Sequence, residues 1–572
     1  MLNKIVLENR GQLALNQNNY VAAGGEGAIY RANATIIKIY MDKAKMLRDH
    51  MPEKIKLLSK IRHEYIVAPD GLAYDVNKNP IGFYMRDAGG APLPPAFTNT
   101  FRQRENFGND EARRLVDRMR EAVKFAHDTG ALLVDPNELN WLLVIKGNGG
   151  PEPRIIDVDS WQIKNWPAKV IMPSIRDWHS PAFSIFTDWF AWGVVTFQIF
   201  TGLHPYKGVL AGYKPSELER RMKDNASVFA KDVRLNHAVR DFNSIPGALL
   251  EWYKATFQNG ERAIPPSPYD TGVAVPLPAR VMRITTTATG ALIFEKLFEK
   301  INDPVIRIWP CGVCLTASGD LFDLGLKRTI AKLCPRDSEV IEVEGGWLIA
   351  NQVSKQFVLS FINKTSLQEE KLSWALTTEK LFRYANRLFA VTESGITEII
   401  FTNLGKPVLS PGQTWRALPN ATKWFSGVGI QDAMGAMFLV LPFGEKSCAE
   451  MRVKELDGLN PIAAEAGHRF AAVIALGKNG IYWKLEFTFD HDHQTYRVAR
   501  SEAESPDINL TILPKGVYAE IAEDGELVVS APTAGKINKI SDKNITADMM
   551  LANWENAVLY IKNGSVWSLR MK

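Results

Sequence analysis

Cysteine is scarce in this chain, four in 572 residues, which excludes a disulfide scaffold. Cys311 and Cys314 make one CxxC with no second pair and no neighbouring histidine to complete a zinc site, so the thiols read as buried strand residues. His491 and His493 read as a surface pair. Charge of one sign is lacking as well. A net charge of +5 over this length is too weak to argue for a nucleic acid or a membrane surface as partner. The longest apolar run, WFAWGVVTFQIF, is too short to cross a bilayer, and the first residues, MLNKIVLENRGQLALNQNN, lack the apolar core of a secretion signal. These absences point to a folded cytoplasmic protein. With 46% hydrophobic and 23% charged residues, a chain of this length has room for about two to four domains.

What is present concentrates between His127 and Gln162. Asp135 and Asn140 fit one tight loop, from which Leu142, Leu143 and Val144 leave as a strand. Ile155 and Ile156 predict the partner strand, with Gly147, Gly149 and Gly150 turning the chain. Such a hairpin brings Asp135, Asn140 and Asp157 to one end. Two acids and an amide converging there suit Mg²⁺, which takes oxygen ligands and shares them with phosphates. Upstream, YVAAGGEGAIYRANATIIKIY places Gly24, Gly25 and Gly27 in a turn between two β-like runs. Glycines let backbone N–H groups approach phosphate oxygens closely. Lys38 follows in a β-branched strand, where an inward cation needs an anionic partner. Met46 to Ile61 reads as an amphipathic helix with Ile55, Leu57, Leu58 and Ile61 on its apolar side.

At these residues the chain resembles a divergent branch of the eukaryotic-like Ser/Thr protein kinase superfamily. VDPNELN stands where the D-x-x-x-x-N catalytic loop would be, and DVD where DFG would be. The resemblance implies ATP and Mg²⁺ as cofactors. Asp135 would orient the acceptor hydroxyl, Asn140 and Asp157 would hold Mg²⁺, and Lys38 would hold the α/β-phosphates beneath the Gly24–Gly27 turn. IGFYM, ending at Met85, would be the last strand of a small lobe, and RDAGGAPL a hinge for adenine. TDWFAWGVVTFQIFTGLHPY resembles the buried helix of the large lobe, in which Asp188 would accept backbone N–H groups of the catalytic loop.

Several positions depart from the family pattern. Ala22 replaces the first glycine, Val134 the arginine before the catalytic acid, Asn137 the usual lysine, and Asp159 the DFG glycine. Glu53 is the available partner for Lys38, but the family's position for that glutamate falls on Lys54. SPAF, Ser180 to Phe183, is the nearest candidate for APE and lacks its glutamate.

Beyond a proline-rich linker the texture changes to short β-rich runs. Ser318-Gly319, Ser394-Gly395, Asn479-Gly480, Asp524-Gly525 and Asn563-Gly564 supply tight hairpin turns, spaced by multiples of roughly 41 residues, the period of a four-stranded propeller blade. The expected organisation is therefore an α+β bilobal kinase-like domain, with a small lobe over 1–93 and a large lobe over 94–262. A linker over 263–281 leads to an all-β domain over 282–572, a seven-bladed β-propeller, with two β-sandwiches as the rival. The strand around Ile284 to Phe294 would close the ring. The expected activity is phosphorylation of a protein substrate recruited through the β domain; the alternative is a scaffold without phosphoryl transfer.

Overall fold

The computed structural model describes residues 4–146, 150–168, 170–272, 292–353, 356–374, 376–378, 380–444, 446–546 and 548–572. A mixed α/β region comes first and an all-β region of antiparallel sheets follows. The first strands are β1 (Lys4–Leu7), β2 (Gly11–Ala14), β3 (Tyr20–Ala23), β4 (Gly27–Ala32), β5 (Thr35–Tyr40), β6 (Gly71–Tyr74) and β7 (Pro80–Arg86). They form one antiparallel sheet in the order β2-β1-β6-β7-β5-β4-β3. The predicted sheet begins only at Tyr20, so the β1–β2 hairpin is an addition. Period-two alternation in β5 sends Ile37 and Ile39 into a core with Ile5, Ala73 and Ile81. Lys38 and Tyr40 therefore face the other side, where Tyr40 shares a core with Ile55, Leu58 and Phe83.

The single helix predicted over Met46 to Ile61 is two: α1 (Lys43–Arg48) and α2 (Met51–Leu58). Between them His50 takes φ 52°, and Pro52 sits in the first turn of α2. Proline has no N–H to give to a preceding turn, so it starts a helix and does not continue one. The larger helical part contains α3 (Asn99–Glu105), α4 (Asn109–Asp128), α5 (Ile185–Thr201), α6 (Leu218–Lys223) and α7 (Gly247–Phe257). As the spacing predicts, α4 buries Leu115, Met119, Val123 and Ala126. Helix α5 is buried from Thr187 to Thr201, with Ser184 capping its start and Gly202 at φ 81° ending it.

Between α4 and α5 runs the predicted hairpin, β10 (Trp141–Lys146) against β11 (Gly150–Ile155). Leu142 to Val144 lie in β10 and Ile155 ends β11, with Ile156 just beyond. Gly147 and Gly149 lie outside the described residues. Strand β8 (Ala91–Pro92) flanks β10, and β9 (Ala131–Leu132) pairs with β12 (Gln162–Ile163). The hairpin is tied to the sheet region through Val67 N–H to Ile155 O at 2.9 Å and Ile155 N–H to Tyr65 O at 2.8 Å.

Of the expected linker, the part before residue 273 packs on α4: Arg120 Nε donates to Pro265 O at 2.9 Å and Ser267 Oγ to Asp117 at 3.0 Å. Its remainder lies outside the described residues, as does Ile284 to Ala291 of the expected ring-closing strand. Among the described residues from Leu292 onward there are seven four-stranded antiparallel sheets. The seventh combines strand Leu292–Phe298 with the last three strands of the chain. Neighbouring sheets share apolar cores: Val313 meets Trp347, Leu348 meets Leu388, and Val428 meets Val473. The seventh meets the first through Leu559, Ile561, Val305 and Cys314. All five predicted turn glycines join second to third strands at positive φ, from 73° at Gly564 to 129° at Gly395.

Two local readings need correction. Cys314 and Cys448 are strand residues, but Cys311 and Cys334 lie in connections. His491 is exposed, whereas His493 is buried beside Phe443 and Phe489, whose ring area it helps cover.

The all-β region packs on both parts of the α/β region. Asn420 Nδ2 donates to Asn18 O at 2.6 Å in front of β3. Asp507 accepts Thr100 Oγ1 at 2.5 Å and Asn99 N–H at 3.1 Å at the start of α3. Leu139, in the loop after Asp135, packs against Ile462, Leu476 and Tyr482 of the fifth sheet. The Asn479-Gly480 turn lies so close to Ser174 that a Cβ on Gly480 would stand 2.0 Å from Ser174 Oγ.

Candidate functional site

The loop from Leu133 to Asn140 is held from several sides. Asp188, with no solvent exposure, accepts Leu133 N–H at 2.8 Å and Val134 N–H at 2.9 Å. His127 Nε2 donates to the same carboxylate at 2.9 Å. The acid therefore supports the loop, as the resemblance implies. It also holds Val134 at φ 65°, a left-handed conformation that costs a β-branched residue energy. Asn137 is a loop staple: its Oδ1 accepts Leu139 N–H at 2.9 Å and Asn140 N–H at 3.2 Å. Asn140 Nδ2 donates to Asp135 O at 2.9 Å, and Ile156 N–H donates to Asn140 O at 2.9 Å. The loop carrying Asp135 and Asn140 is thus bonded directly to the residue before Asp157.

Asp157 itself takes φ 58° and meets Lys38 of β5, with Nζ 2.9 Å from its Oδ1. Lys38 also donates to Asp159 Oδ2 at 2.8 Å, an oxygen that receives Tyr40 Oη at 2.8 Å. Lys54 Nζ donates to the Asp159 carbonyl at 2.6 Å. The expected Glu53–Lys38 pair is absent. Glu53 is exposed on α2, while the next residue, Lys54, is buried. A one-residue step rotates a helical side chain by about 100°, so the two cannot face the same way. Burial and the adjacent Asp159 raise the pKa of Asp157, against the pull of Lys38 and Ser160. For Asp159 burial acts in the same sense but is outweighed by Lys38 and Tyr40, and its pKa is lowered. Burial alone would lower Lys38; the two acids raise it instead.

Asp135 is half-buried, and its Oδ1 accepts Met172 N–H at 3.0 Å. Burial raises its pKa, with Met172 and Asn137 opposing. The predicted glycines divide. Gly24 and Gly25 are exposed, and a Cβ on either would meet nothing within 4 Å. Gly27 is buried at the start of β4, where a Cβ would stand 2.7 Å from Ile39 O. Gly27 thus serves strand packing, and only Gly24 and Gly25 leave open space for a ligand. Met85 lies in β7 opposite Ile36 and packs on the core. After it, Gly90 comes so near β10 that a Cβ would stand 2.4 Å from Leu143 O.

Asp159 and Asp177 are the residues that sequence reasoning missed. In the family pattern Asp159 stands only as a replaced glycine. Asp177 takes a two-pronged bond from Arg262, at 2.6 and 2.8 Å, and ties the segment after Asp157 to the end of the helical part. An arginine and an acid 85 residues apart leave no local signal.

Among the described residues no group of three or more His, Cys, Asp or Glu side chains converges as a metal site. The Asn140 amide nitrogen is bonded to the Asp135 carbonyl, so the oxygens that Asn140 and Asp157 would offer are an amide and a carboxylate, hard donors of the kind Mg²⁺ takes. No protein-family model and no curated protein matches the chain.

Proposed function

We propose that the N-terminal region is an ATP- and Mg²⁺-dependent phosphotransferase of the protein kinase type, acting on a Ser/Thr hydroxyl. We read the seven C-terminal sheets as a propeller that carries the partner or substrate. The observation that carries the first reading is the meeting of Lys38 with Asp157, 119 residues apart, beside the Asp135–Asn140 loop. A cation on a strand, an acid after a hairpin and an amide in a braced loop are the groups that phosphoryl transfer needs, since it relies on placement and charge neutralisation. MgATP would supply the transferable phosphoryl group and the charge that offsets its oxygens. Asp135 accepts the acceptor hydroxyl's proton or orients it, Asn140 and Asp157 present oxygens to the cation, and Lys38 faces the phosphates. The open turn at Gly24 and Gly25 leaves room for backbone N–H groups to close on them. The shared core between the seventh and first sheets supports a closed propeller over two sandwiches.

Incubation of the full chain with MgATP followed by intact-mass spectrometry tests this. The expected result is phosphate addition in wild type and its loss in Asp157→Asn with the fold retained by circular dichroism. Equal labelling of the two proteins sinks the reading. A scaffold without transfer has one observation in its favour: Asp135 and Asp157 already hold partners, in Met172 N–H and Lys38. A thermal shift with ATP, with and without Mg²⁺, separates the two, because a scaffold that binds no nucleotide shows no shift in either.

A further inference from the structure

Helix α2 offers Lys38 no acid. Its exposed Glu53 points away and its buried residue is Lys54, so the helix brings a second cation toward the first. Two buried ammonium groups are tolerable only with an anion between them. That anion is Asp159, whose side chain is 1% exposed. Its Oδ2 lies 2.8 Å from Lys38 Nζ and 2.8 Å from Tyr40 Oη, while its backbone carbonyl takes Lys54 Nζ at 2.6 Å. Oδ1 of the same carboxylate is buried with no hydrogen-bond partner. The acid's hydrogen bonds are thus concentrated on the one oxygen that faces Lys38 and Tyr40.

We infer that Asp159 is the positioning residue of Lys38: it holds the strand lysine toward the nucleotide phosphates from the loop that carries Asp157, in place of an acid on the neighbouring helix. The inference rests on the phosphotransferase reading and deepens it. Lys38 is shared between Asp157 and Asp159. When Asp157 turns to a cation, Asp159 still fixes the lysine's position and keeps its charge. Lys54 and Tyr40 in turn fix Asp159. The acid that aligns Lys38 then comes from the two-residue spacing of D-V-D, and α2 contributes only the Lys54 hydrogen bond to the Asp159 carbonyl.

The test uses the full chain and two readouts. The first needs no nucleotide: acylation of Lys38 by an N-hydroxysuccinimide ester at pH 8, quantified by peptide mass spectrometry. Asp159→Asn is expected to raise Lys38 labelling by about tenfold for each pKa unit the lysine loses, with the melting curve still cooperative. The second is kinetic: Asp159→Asn raises KM for ATP by about tenfold or more, and adding Lys54→Glu, which returns an acid to that place from the helix, restores much of it. Unchanged Lys38 labelling in a folded Asp159→Asn protein overturns the proposal. So does a change confined to the Mg²⁺ dependence, which would make Asp159 a metal ligand. If Asp159→Asn does not fold, Tyr40→Phe removes one of its hydrogen bonds and keeps its charge, and must move both readouts the same way by a smaller factor. Wild-type protein that neither binds nor uses MgATP defeats the phosphotransferase reading, while the labelling experiment still reports whether the acid governs the lysine.

Discussion

Around the Asp135 loop, strained backbone and unpartnered carboxylate oxygens accumulate; in the C-terminal sheets the buried acids find partners. Many residues in both regions take positive φ, but Val134 is the only β-branched one among the described residues, and it is 2% exposed. In the sheets the corresponding residues, such as Met434 and Asn563, sit at hairpin turns. Buried carboxylate oxygens divide the same way. Among the described residues the only two without a hydrogen-bond partner are Glu138 Oε2 and Asp159 Oδ1, both within the stretch that carries Asp135 and Asp157. The sheets pair their buried acids: Glu398 takes Arg387 at 2.6 and 2.9 Å, and Asp303 takes Lys300 and Ser318, each at 2.6 Å. Sequences that agree with local rules nearly everywhere break them where chemistry requires it. The contrast therefore sets the stretch from Val134 to Asp159 apart independently of any motif.

The largest expected effect comes from removing the group that sustains the strain. Asp188→Ala leaves Leu133 N–H and Val134 N–H buried without an acceptor. Losing a buried acceptor of two N–H groups and a histidine costs about 3–5 kcal/mol, to be read as a fall in the urea midpoint of the N-terminal region. A midpoint within error of wild type would mean that the loop holds its shape unaided.

Next in size is a pH effect at the seam between the two regions. Glu138, 2% exposed, is pushed up from 4.5 to about 7, by burial first and by Asp135 as well, with Lys207 and Tyr482 opposing. A carboxyl raised in the folded state binds its proton more tightly there than in the unfolded chain. Its stabilisation is fully present below about pH 4.5 and is lost as pH rises through about 7, a change of about 3 kcal/mol. Denaturation midpoints measured from pH 5 to 8 should fall in wild type and fall less in Glu138→Gln. Parallel pH profiles would remove Glu138 from the seam's energetics.

The same contrast explains what could be read from the sequence. Ser394-Gly395, Asn479-Gly480 and their counterparts announce turns because turn chemistry is local, and the sheets followed. The hairpin bearing Asn140 and Asp157 was legible through its glycines and β-branched strands, and Asp188 through the apolar helix around it. What stayed hidden depends on distant partners. The Lys38–Asp159 pair spans 121 residues, and nothing near Asp159 marks it as a lysine's partner rather than a replaced glycine. The break at His50 and Pro52 was missed because the apolar spacing that marks the helix, at Ile55, Leu58 and Ile61, lies wholly after it. Strands β1 and β2 were missed because four-residue strands separated by a polar turn carry little periodic signal.

The smallest expected effect is the sharpest test of the comparison. If Val134 at φ 65° is strained, glycine should suit its backbone better, since a left-handed conformation costs an L-residue about 1–2 kcal/mol. Against that stands the loss of a buried valine side chain, worth about 1.5–3 kcal/mol when exposed to water. Val134→Gly is thus expected to lower stability by no more than about 2 kcal/mol, short of a buried valine truncated in a relaxed strand such as Val473→Gly, where no strain is relieved and a strand glycine adds its own cost. Guanidinium denaturation of both variants decides it. Equal losses at the two positions would mean that Val134 stores no strain and that the difference between the Asp135 loop and the sheets lies in the buried charges alone.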